Sequence, residues 1–78
     1  MSMTLKEEAE KILENFEQIS SEEFIQVTEK IKANLQSQLT SEYLTGKISK
    51  INQVTDEVEK KNLCKALKPY LDWYIQGN

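Results

Sequence analysis

Apolar residues recur at helical spacing along nearly the whole chain, in four stretches separated by short polar segments. In the first stretch, about residues 5–18, Leu5, Ala9, Ile12 and Phe16 share one face, and Ile19 continues the line just beyond it. The second, about 21–38, turns Phe24, Val27, Ile31 and Leu35 inward. The third, about 41–52, uses Leu44, Ile48 and Ile51, and carries Gly46 at a cost of roughly 1 kcal/mol relative to alanine. The fourth, about 56–75, presents Leu63, Leu67, Tyr70, Leu71 and Tyr74. Val58 and Trp73 depart from that last face, Trp73 by about 120° at 100° per residue.

The polar signal before the last three stretches has a physical meaning. Gln18-Ile19-Ser20-Ser21-Glu22, Gln38-Leu39-Thr40-Ser41-Glu42 and Gln53-Val54-Thr55-Asp56-Glu57 each place a hydroxyl residue before acids. The hydroxyl suits an N-cap, and the acids suit the positive end of the helix dipole. With Thr4 this marks four helix starts: Thr4, Ser20, Thr40 and Thr55. Thr4 with Glu7 and Ser20 with Glu23 read as capping boxes, and Ile19 with Phe24 and Leu39 with Leu44 as hydrophobic staples. Shared capping logic accounts for the recurrence, since the segments between the copies differ in length and composition.

Short connections between four helices predict an all-α fold, a small up-and-down antiparallel four-helix bundle forming a single domain over residues 1–78, with a less regular orthogonal packing as the alternative. Pro69 removes a hydrogen bond inside the fourth helix and can kink or split it. The phase of Trp73 depends on that break: one outcome turns it into the core, the other leaves it exposed beside Ala66, Pro69 and Tyr70.

Composition narrows the chemistry. A chain of 78 residues buries a modest share of its surface, so a partner or a second copy would help stability. All ten basic residues are lysines and there is no histidine. The usual general base, the commonest metal ligand and bidentate guanidinium recognition are therefore missing, and the expectation is a protein without enzymatic activity, cofactor or metal. A single cysteine, no apolar leader core after Met1 and no run long enough for a membrane span predict a cytoplasmic protein. Met3, closely following Met1 and Ser2, offers a second start.

Three groups of residues are candidates for function. Trp73, with Pro69 and Ala66, is the kind of large rigid side chain that dominates binding surfaces. Glu7, Glu10, Glu14 and Glu17 form a carboxylate stripe opposite the first helix's apolar face, either a solvated exterior or a docking face for a basic partner. Lys61, Lys65 and Lys68 line the last helix and would contact phosphates without reading bases. Cys64 lies close to the inner face and reads as a small buried hydrophobe rather than a nucleophile. The charge is divided: residues 1–39 hold four lysines against eight acids, net −4, and residues 40–78 hold six against five, net +1, together the −3 of the whole chain. The leading expectation is an acidic interaction module that binds a protein partner or forms a homodimer, and the alternative is a nucleic-acid-associated regulator using the lysines.

Overall fold

Two asparagines decide where the first two helices stop. In the computed structural model, which describes residues 3–77, α1 spans Leu5–Glu14 and α2 spans Ser21–Ala33. Asn15 follows α1, and its side-chain amide donates to the Lys11 carbonyl at 2.9 Å. Asn34 follows α2 and repeats the contact on the Lys30 carbonyl, also at 2.9 Å. An asparagine amide that takes a carbonyl four residues back competes with continuation of the helix. The expected ends at Gln18 and Gln38 are thus corrected to Glu14 and Ala33. Phe16 nevertheless stays in the core, carried there by a turn instead of a helix.

The remaining chain forms three helices rather than two. They are α3 (Gln38–Gln53), α4 (Glu57–Lys65) and α5 (Lys68–Ile75), so the described residues contain five helices where four were expected. Pro69 lies in the first turn of α5, where a missing N–H costs least. Across the break the bonds shorten to three-residue steps, from Leu67 N–H to the Cys64 carbonyl (2.9 Å) and from Tyr70 N–H to the Leu67 carbonyl (3.1 Å). Two caps also move. Ser37, not Thr40, caps α3, accepting from the Thr40 N–H at 3.3 Å, and Asp56, not Thr55, caps α4, accepting from the Glu59 N–H at 3.0 Å. Starting α3 earlier puts Leu39 on the helix surface, 80% exposed, and the expected staple with Leu44 does not form.

Two caps stand as read. Thr4 and Glu7 make the full capping box, and Ser20 accepts from the Glu23 N–H at 3.2 Å. The return bond of the second box comes from the Ser20 hydroxyl to the Glu23 carboxylate, at 3.4 Å, in place of the backbone N–H.

The core gathers Ala9, Phe16, Phe24, Val27, Ile31, Leu44, Ile48, Ile51, Cys64, Leu67 and Leu71. At its centre is α2, which touches all four other helices, while α1 packs chiefly on α5 and α2. The radius of gyration, 11.9 Å, is close to the roughly 11.5 Å of a compact chain of this length. Thr28 is fully buried on α2, and its hydroxyl donates to the Phe24 carbonyl at 2.8 Å. On the last two helices the inner ridge is Cys64, Leu67 and Leu71, whereas Leu63, expected inside, is 39% exposed. No helix among the described residues is long and apolar enough to cross a membrane.

Candidate interaction surface

The expected lysine row is divided by the corner where α1 meets α2. Lys61 reaches from α4 and its ammonium donates to the carbonyls of Phe16 and Ile19, the latter at 2.5 Å. The same ammonium lies 4.5 Å from the Phe16 ring centroid, and Lys68 lies 4.7 Å from it. The chain beyond α1 thus receives a cation where its carbonyls point outward. Lys61 and Lys68 are half-buried, and Lys65 alone of the three stands exposed.

A second tie fixes the same corner. Glu57, in the first turn of α4, accepts from the Ser21 N–H and from the Ser21 hydroxyl, both at 2.8 Å. The backbone bond first, then the hydroxyl, hold the Glu57 carboxyl below its ordinary value of 4.5. The Thr4 N–H and hydroxyl act in the same direction on Glu7. For a carboxyl whose folded pKa lies below its unfolded one, the stabilisation is fully present above the unfolded value and is lost as pH falls through the folded one. Urea midpoints are therefore expected to hold from pH 7 down to about 4.5 and then decline. Glu57→Gln should lower the neutral-pH midpoint and flatten that decline. An unchanged acid slope in this variant would show that the Ser21 contact is energetically idle.

The carboxylate row on α1 is real in part. Glu7, Glu10 and Glu14 are exposed on the helix, and Glu7 is partly committed to the cap. Glu17 is also exposed but lies past the helix end. Neighbouring Glu8 pairs with Lys30 at 3.1 Å and tethers α1 to α2.

The aromatic end of the chain separates into inner and outer residues. Tyr70 and Tyr74 are half-buried against the core, and Trp73 is 42% exposed. Thr40, Pro69, Tyr70 and Trp73 line a shallow depression of about 210 Å³ between the start of α3 and α5. On the other side of Trp73, a broader hollow of about 710 Å³ is lined by the segment after α2, from Asn34 to Ser37, with Lys6 and Tyr74. Tyr43 extends the patch: it is 49% exposed, and its ring lies 5.8 Å from that of Tyr70. Desolvation, then Tyr43, raise the Tyr70 phenol above its ordinary value. Ala66 is exposed at the α4–α5 break, a short way before Pro69.

Protein-family models, curated proteins and solved structures give no match to this chain.

The surface itself therefore carries the functional reading. Among the described residues, no three His, Cys, Asp or Glu side chains are grouped so as to hold a metal ion. Cys64 is fully buried, and desolvation, then the Glu57 charge, push its thiol up to about 11. At neutral pH it is a thiol in the core, with little nucleophilic character.

Trp73 and Pro69, expected together, do share a depression, whereas Thr40 and Tyr43 beside them were not among the expected residues. The available signal was the α3 wheel, on which Leu39 and Tyr43 lie four apart and away from Leu44, Ile48 and Ile51.

Proposed function

We propose that this chain is a non-enzymatic protein-interaction module whose contact surface centres on Trp73, framed by Pro69, Tyr70 and Thr40 and extended by Ala66 and Tyr43. The observation that carries this reading is an exposed tryptophan between two depressions, one of them walled by proline and tyrosine. Trp and Tyr supply much of the energy at binding surfaces because a large rigid side chain loses little entropy when a partner covers it. The outer acids of α1, Glu7, Glu10 and Glu14, with Glu17 beyond the helix, add steering toward a basic partner more than raw affinity. Lys61 and Lys68 have structural work at the α1–α2 corner, which weighs against the nucleic-acid alternative.

Trp73→Ala is the test. It is expected to abolish capture of protein partners from a host lysate, while the melting temperature falls by no more than about 4–8 °C, the equivalent of about 1 kcal/mol for a domain of this size. Being the only tryptophan, Trp73 also reports on itself, and its emission should shift to the blue when a partner covers it. Capture unaffected by the substitution would refute the proposal, and so would unfolding of the variant chain.

A further inference from the structure

We infer that the outer face of α3 is a self-association surface, on which a second copy of this chain docks antiparallel with the two-fold axis at Gly46. The face shares Tyr43 with the surface centred on Trp73 and runs from there along α3 to Lys50. Leu44, Ile48 and Ile51 bury the inner side of α3 against the core. On the opposite side Leu39, Tyr43, Gly46 and Lys50 are exposed, at steps of four, three and four residues. That alternation is the seam along which two helices pair.

Gly46 has no role inside one chain. A side-chain carbon built there would meet nothing within 4 Å, and its backbone does not adopt the positive φ that favours glycine. A mid-helix glycine lowers helix stability, yet this one relieves no crowding in the fold. A bare backbone at the centre of an exposed seam does permit close approach by another helix.

Charge selects the partner and its direction. In an antiparallel pair centred on Gly46, residues equally far before and after it face each other across the axis. Glu42 then faces Lys50 of the second copy, and Lys50 faces its Glu42, while Tyr43 lies across from Ser49. A parallel pair would instead set Glu42 against Glu42 and Lys50 against Lys50, which is repulsive. Within one chain the two charges are about 12 Å apart along the helix at roughly 1.5 Å per residue, too far to pair. Both side chains are exposed, neither forms an ion pair among the described residues, and Glu42 accepts only from the Gln38 amide at 3.2 Å.

Sedimentation equilibrium of the full chain tests this directly. The wild type is expected to approach twice its 9.1 kDa monomer mass as concentration rises. Glu42→Lys and Lys50→Glu should each weaken association by about tenfold or more, because each creates two like-charge contacts across the axis. Combining them should restore the wild-type dissociation constant. Gly46→Leu should block association, and Trp73→Ala should leave it in place. A chain that stays at 9.1 kDa up to millimolar concentration overturns the inference. Failure of the double charge reversal to rescue overturns it equally, as does a Gly46→Leu variant that associates like the wild type.

Discussion

Phe24→Ala is expected to lower the unfolding free energy by about 3–5 kcal/mol and to leave much of the chain unfolded at 37 °C. Phe24 is fully buried on α2, the helix that touches every other one. Its ring meets that of Phe16 edge to face, with centroids 5.5 Å apart and planes at 89°. Truncation therefore removes buried apolar area, opens a cavity at the centre of the fold and strips Phe16 of its aromatic neighbour. Small domains have a total stability of about 5–15 kcal/mol, and one of this length belongs at the lower end. Urea denaturation followed by far-ultraviolet circular dichroism would measure the loss. A change below about 1 kcal/mol would mean that the surrounding helices close over the site, contrary to the packing described.

Lys61→Met is expected to cost about 2 kcal/mol, although it changes a half-buried charged residue to an apolar one of similar length. The methionine keeps an unbranched stem but donates to neither Phe16 nor Ile19, and the ring of Phe16 loses one of its two cations. Two carbonyls at the α1–α2 corner would then depend on water. The control is Lys65→Met, where an exposed lysine is replaced and the change should stay within about 0.5 kcal/mol. On melting curves the first variant should drop by about 8–16 °C and the second by a few degrees at most. Equal effects at the two positions would remove Lys61 from its structural role.

The difference between those lysines is where sequence reading reaches its limit. Helical spacing placed Lys61, Lys65 and Lys68 together on the outer face, yet Lys61 acts on carbonyls more than forty residues earlier in the chain. No local pattern encodes a contact at that separation. The inner ridges of α1, α2 and α3 were legible because periodicity is local, and Ala9, Phe16, Phe24, Val27, Ile31, Leu44, Ile48 and Ile51 are buried as read.

Helix ends were less legible, for a different reason. Apolar spacing continues smoothly through Asn15 and Asn34, where each side-chain amide takes a carbonyl four residues back as the helix ends. Asparagine was there to be read, but the hydrophobic pattern overrode it. At the last two helices Leu67 and Leu71 are buried as read, but the α4 part of the ridge runs through Cys64, so the neighbouring Leu63 lies partly outside. Exposure of Trp73 could be framed from sequence only as one of two outcomes, since it depended on how the break before Pro69 resolved.

The packing of α1 on α5 sets an order of events during synthesis. The ribosome releases the first helix long before the last one, and domains assemble only as their parts emerge. Until α5 is available, the side of α1 that it covers has no lasting shelter, although α2 can already hold its other side. The nascent chain thus carries an open apolar flank until α5 emerges, and a chain ended before α5 would keep it.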